Sequence, residues 1–258
     1  FICDVPTNAM NKIFMTLNSK INKNNYVKSL EEYLCRLEFS QKFPKDEEVI
    51  SKLKDRDIYE SINQKRKMYL FNRLEQGLGD EIVDFSKTDL TIEHIFPQNP
   101  DEAWKKELTE EEYIFMENNL HKIANLTLSA NNGALGNKTF KEKKYMNINN
   151  GEQGYIYSKL WLNEYLKKIE EWKPKNIEKR FDKIKERFLK VWKYPNIVIT
   201  NNNIEVNIFN ADNPTGKKLE YIKFNGEEHN DITDVSKLFS FIIKYYYENE
   251  ENKNEIQK

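Results

Sequence analysis

Along the first part of the chain, apolar side chains recur at the spacing that brings them to one side of an α-helix. Met10, Ile13, Phe14, Leu17 and Ile21 predict a helix over 8–22. Leu30, Tyr33, Leu34 and Leu37 predict a second over 26–39, and a third is expected near Asp46, whose carboxylate suits an N-cap. Ile58, Ile62, Met68, Leu70, Phe71 and Leu74 carry the same period across 56–77 and predict one long helix, ended by Gly77 and Gly79. Residues 1–82 therefore read as an all-helical module.

The period changes at 89–99. Leu90, Ile92 and His94 alternate with polar residues, which predicts a short strand stopped by Pro97. Thr109 followed by Glu110, Glu111 and Glu112 starts a short helix by capping logic. Leu126-Thr127-Leu128 predicts a second strand, Asn131-Asn132-Gly133 a turn, and 134–146 a helix. Strand, strand, helix in that order is a ββα unit. Amphipathic helices follow over 156–172 and 176–193, separated by Lys173-Pro174, and Pro195 closes the region 83–195. The remainder, 196–258, turns strand-like at Ile197–Thr200, Ile204–Phe209 and Leu219–Phe224, with turns at 201–203 and 212–216. A last helix is predicted over 233–248, and a charged, frayed end over 249–258. The expected fold is mainly α, with a ββα core and a small C-terminal α+β domain.

Composition alters this picture in three places. The 15 Phe, 14 Tyr and 4 Trp supply enough bulk for a sizeable core, while 8 Gly and 7 Pro favour helices over a loop-rich sandwich. No apolar run is long enough to span a membrane. Cys3 and Cys35 have neither metal-ligand spacing nor a disulfide framework, which suits a reducing cytoplasm. With 41 basic and 42 acidic residues the net charge is −1, which lacks the basic signature of a dedicated nucleic-acid binder. Lysine-rich stretches at 138–144 and 173–190 are the candidates for a local basic face. The chain opens on Phe1 without a basic, then apolar, leader; the expectation is a piece of a longer protein without a signal peptide.

Of the three histidines, His94 stands apart by its company: Glu93 before it, Pro97 after it, and Asn-rich segments downstream. Neutral imidazole can take a proton from water that attacks phosphorus. A hard divalent cation such as Mg²⁺ stabilises the charge that builds up, and it prefers oxygen ligands of the kind Glu93 and an amide side chain offer. Successive strand residues point to opposite faces, so Glu93 and His94 converge only if the strand bends, which Pro97 permits. Plainer roles exist for the rest. Asn132 and Asn137 suit turns and caps, His121 can hydrogen-bond a loop, and Lys143 can be a solvated lysine. Tyr155, Tyr157, Trp161 and Tyr165 read as helix core, and His229 carries no expected metal site.

At this point a family resemblance becomes specific. Residues 91–98 (TIEHIFPQ), 121–128 (HKIANLTL), Asn132 and 137–143 (NKTFKEK) resemble the HNH domain of GmrSD-type type IV restriction enzymes. Residues 6–8 (PTN), Asn11, Lys12, Phe43, Pro44, 46–48 (DEE), 73–75 (RLE), 161–163 (WLN), Trp172, Val191, Trp192 and Pro195 extend the likeness over 1–195. The resemblance implies a ββα-metal nuclease in which His94 is the general base and Glu93 the acidic metal ligand. It implies that Asn132 completes the metal site, that Asn125 ties the loop and positions the histidine, and that Lys143 sits near phosphate. The metal expected is Mg²⁺, Mn²⁺ or another divalent cation. Many HNH nucleases have Asp where this chain has Glu93, and His where it has Asn132; a longer carboxylate reshapes the metal site. The resemblance further implies DNA as substrate, modified phage DNA included, and an N-terminal nucleotide-handling domain of ParB-like fold as partner. The alternatives are a catalytically degenerate DNA-binding or regulatory module, and a scaffold built on the helices.

Overall fold

The computed structural model describes residues 1–79, 89–149, 151–197 and 218–248. The chain divides into two compact units, Phe1–Ile199 and Thr200–Lys258. In the first, helices α1 (Thr7–Lys20), α2 (Tyr26–Arg36) and α3 (Asp46–Asp55) follow one another. Asp46 is the first helical residue of α3, with Lys45 at the cap; Asp46, Glu47 and Glu48 fill the first turn and Lys52 and Lys54 the last. That distribution opposes the helix dipole at both ends.

The single helix expected over 56–77 is broken. A short helix α4 (Ile58–Ser61) precedes α5 (Gln64–Gln76), with Ile62 extended between them. Asn63 is the reason: its side-chain oxygen accepts from the Arg66 backbone N–H at 3.0 Å and caps a new helix. The break leaves Asp57 bridged to Lys122, and the Tyr59 N–H donates to the His121 carbonyl at 3.1 Å. Gly77, at φ +62°, ends α5 where an added Cβ would strike the Arg187 guanidinium. Arg187 donates to the Leu74 and Glu75 carbonyls at 2.9 and 2.8 Å, so it closes the exposed C-terminus of α5.

Strand β1 (Thr91–His94) pairs antiparallel with β2 (Leu126–Ser129), with Thr91 opposite Ser129 and His94 opposite Leu126. Between them lie α6 (Glu102–Glu107) and α7 (Glu110–Asn118), the latter opened by a Thr109/Glu112 capping box. After β2 the helix expected over 134–146 is two pieces: α8 (Asn132–Leu135), ended by Gly136 at φ +48°, and α9 (Phe140–Tyr145), opened by a Thr139/Glu142 capping box. A small hairpin of β3 (Asn147–Ile148) and β4 (Glu152–Gln153) then turns the chain back. The helix expected over 156–172 is shorter, α10 (Trp161–Lys167), preceded by a single tight turn at Tyr155–Tyr157. Helix α11 (Pro174–Val191) packs against α3, α5, α7 and the turn Ile123–Asn125. One core joins these elements; Leu53, Ile58, Leu70, Phe71 and Leu74 meet Ile95, Leu126, Leu128, Leu166, Trp172 and Ile184.

In the second unit, β5 (Ile222–Phe224) and β6 (Glu227–His229) form a hairpin across Asn225-Gly226, both at positive φ. Helix α12 (Val235–Glu248) sets Phe241 against Phe224 and His229, with ring centroids 5.6 and 4.6 Å apart. The strands and turns expected between 198 and 217, and the end beyond 248, lie outside the described residues.

Candidate active site

The site is assembled around the end of β1, and the loop that follows it is pinned by one side chain. Asn125 is wholly buried and uses both ends of its amide. Its oxygen accepts from the Phe96 N–H at 2.8 Å and the Trp172 indole at 3.0 Å; its nitrogen donates to the Phe96 and Leu120 carbonyls at 2.9 Å each. Arg180 locks the turn bearing Asn125 from beneath, donating to Ala124 and Ile123 carbonyls at 2.6 and 3.3 Å. Burial pulls its guanidinium down to about 9, so its hydrogen bonds to three carbonyls, Leu162 included, are what hold it there. Asn163 steadies β2, accepting from the Thr127 hydroxyl at 2.6 Å and donating to the Leu128 carbonyl at 3.1 Å.

Glu93 and His94 leave β1 in opposite directions, as strand geometry requires. Glu93 is buried, and its Oε1 accepts from Lys143 Nζ at 2.6 Å. Lys143, expected beside phosphate, is instead fully buried on α9 and donates its second bond to the His94 carbonyl at 2.7 Å. The physical reason is the unpaired Glu93 carboxylate, which burial drives toward its neutral form unless a cation meets it. Burial raises the Glu93 carboxyl and lowers the Lys143 ammonium, each opposed by the other's charge. Tyr155 lies beneath the pair; burial and the nearby Glu93 hold its phenol un-ionised.

Asn132 sits at the start of α8 and reaches β1. Its amide nitrogen donates to the Ile92 carbonyl at 2.9 Å and the Thr91 hydroxyl at 3.2 Å. Both hydrogens of that nitrogen are thereby engaged, and among the described residues the carboxamide oxygen takes no hydrogen bond. Thr91 and Glu93 share a face of β1; Asn132 bonds to the first and Lys143 to the second. Asn137 belongs to the loop before α9, its carbonyl accepting from the Asp101 N–H at 3.4 Å.

His94 lies on the other side, 6 % exposed, beside His121, Tyr59 and Lys67. Its Nε2 meets His121 Nδ1 at 3.2 Å. Tyr59 packs its ring edge-on to His94, centroids 4.4 Å apart, and lies nearly parallel to His121 at 5.7 Å. Lys67 Nζ stands 4.2 Å from the Tyr59 centroid. Desolvation, then the charges of His121, Lys143 and Lys67, lower the His94 imidazole to about 3. It is therefore neutral at physiological pH and retains a lone pair. No sequence signal marks Tyr59 or Lys67, since both fall within the regular period of a helix.

The family model for the C-terminal domain of GmrSD restriction endonucleases matches residues 43–187, which include every one of these side chains. The chain belongs to that family. No curated protein matches it. As a GmrSD C-terminal domain it is the nuclease portion of a restriction endonuclease. Among the described residues no group of three or more His, Cys, Asp or Glu side chains is placed to hold a metal ion. Among the same residues no helix is long and apolar enough to cross a membrane.

Proposed function

We propose that this GmrSD C-terminal domain is an HNH-type, divalent-metal-dependent DNA endonuclease or nickase. The observation that carries the reading is the sequence β1, β2, α8–α9 with Glu93 and His94 at the end of the first strand and Asn132 bonded back onto it. In this reading His94 takes a proton from the water that attacks phosphorus, and the P–O bond to the leaving oxygen breaks. Asn125 holds the loop that carries His94, and Lys143 fixes the Glu93 carboxylate in place.

The donors fit a hard cation in type, a carboxylate from Glu93 and an amide oxygen from Asn132, although Lys143 already engages one oxygen of that carboxylate. Bound there, Mg²⁺ or Mn²⁺ supplies Lewis-acid stabilisation of charge on the phosphate oxygens. The proposal extends to the setting: cytoplasmic defence against phage with modified DNA, alongside a nucleotide-handling N-terminal domain.

Supercoiled plasmid incubated with the protein and Mg²⁺ or Mn²⁺ is expected to be nicked or linearised. Removing the base in His94→Ala is expected to lower the rate about 100-fold or more; unchanged cleavage in that variant rejects the assignment. A second reading, a DNA-binding module that no longer cuts, is favoured by the closed Glu93–Lys143 pair, the low exposure of His94 and the opposite directions in which Glu93 and His94 leave β1. It predicts salt-sensitive DNA binding without metal-dependent cleavage.

A further inference from the structure

Beyond the base itself, we infer that His121 is a positioning residue that selects the tautomer of His94, leaving the His94 Nδ1 lone pair free to accept a proton. The inference rests on the reading of His94 as general base. Its own support is the contact between the two rings, His94 Nε2 to His121 Nδ1 at 3.2 Å. Between two neutral imidazoles one nitrogen must donate and the other accept. Whichever way His121 is protonated therefore decides which nitrogen of His94 carries the hydrogen.

The surroundings choose between the two arrangements. The far nitrogen of His121, Nε2, lies 4.0 Å from the Glu60 carboxylate. An anion on that side favours the hydrogen on Nε2 of His121, which leaves Nδ1 of the same ring as acceptor. His94 then donates from Nε2, and its Nδ1, which takes no protein hydrogen bond among the described residues, keeps the lone pair. The ring geometry makes the arrangement durable. Tyr59 covers both imidazoles, edge-on to one and parallel to the other, and its own N–H is tied to the His121 carbonyl. The break between α4 and α5 brings Tyr59 and Glu60 to this place, so a helix interruption and a histidine far along the chain serve one end. His121 is partly exposed, with a side-chain exposure of 23 %, whereas His94 is buried; the outer ring connects the inner one to solvent.

The test uses the full chain and two independent readouts. Long-range ¹H–¹⁵N spectra of the histidine rings at neutral pH are expected to find His94 as the Nε2–H tautomer in the wild type. In His121→Phe they are expected to find a mixture. A wild-type His94 in the Nδ1–H form overturns the inference and leaves the nuclease reading untouched. In plasmid cleavage, His121→Phe is expected to lower the rate constant about tenfold or more with DNA affinity unchanged. His121→Asn, whose amide oxygen sits where Nδ1 does, is expected to restore most of that loss, and His121→Gln, which extends to the Nε2 position, is not. Equal loss in all three overturns the inference. Should His94→Ala cleave normally, the base assignment fails instead, and the spectra alone then decide the tautomer.

Discussion

An imidazole taken out of water loses the hydration on which its charged form depends, and this has a measurable consequence at His94. Its folded value of about 3 lies below the ordinary 6.5. As pH falls below 6.5 the unfolded chain binds a proton there that the folded chain refuses, so stability is lost through the window from 6.5 down to about 3. Above 6.5 both states are neutral and the group contributes nothing to the slope. The loss by pH 4 is on the order of 3 kcal/mol. His94→Gln lacks the titration. The difference in unfolding free energy, wild type minus variant, is therefore expected to fall between pH 7 and pH 4 in denaturant titrations; a difference that stays flat contradicts the burial of the imidazole. Glu93 shifts the opposite way, its carboxyl raised by burial. Its contribution is common to both proteins and cancels in the comparison.

At the scale of the element, the turn after β4 places Tyr155 beneath Glu93, and it does so through a close crossing of backbones. Gly154 donates its N–H to the Met146 carbonyl at 2.8 Å while its Cα faces the carbonyl oxygens of Lys143 and Lys144. A Cβ there meets backbone oxygen, which cannot swing aside as a side chain can. Gly154→Ala is expected to cost about 1–3 kcal/mol as overpacking. It is also expected to reduce plasmid cleavage, because the end of α9 that must shift carries Lys143; thermal melting and a nicking assay check both, and a wild-type melting temperature rejects the crossing. None of this was legible in the sequence, where Gly154 is one glycine among several and β3 and β4 are two residues each. What the sequence did disclose was local. Alternation marked β1, the Thr109/Glu112 box marked α7, and the pattern from Glu93 to Lys143 marked the family. The cut between α4 and α5 was hidden because the apolar period runs unbroken through Ile58, Ile62 and Met68, while the cap at Asn63 acts on the backbone alone. The partners of the site residues were hidden for another reason. Lys143 meets Glu93, and His121 meets His94, across stretches of chain that only the assembled core brings together. Strand alternation left Glu93 and His94 able to converge only through a bend near Pro97, and that expected bend does not bring them together: Glu93 meets Lys143 and His94 meets His121 on opposite sides of β1.

For the whole molecule, the net charge of −1 provides no general attraction to DNA, so binding has to come from local arrangement within the first unit. Among the described residues the buried apolar cluster of that unit runs from Ile2 to Phe188. Every side chain of the candidate site, from Tyr59 to Arg180, lies within it. The second unit has Ile232 as its buried apolar residue among those described, and the α12 side chains Phe239, Ile243 and Tyr247 remain exposed. A core that is complete in sequence and packing should fold alone. A chain ending at residue 197 is therefore expected to melt cooperatively, with a midpoint within about 4 °C of the full chain, the shift that roughly 1 kcal/mol produces in a domain of this size. It should also keep whatever metal-dependent plasmid cleavage the full chain has. Circular dichroism melting and the nicking assay read the two expectations separately. A truncated chain that melts normally but no longer cuts assigns the second unit a part in holding DNA; one that does not fold at all means the core of the first unit depends on contacts from beyond residue 197.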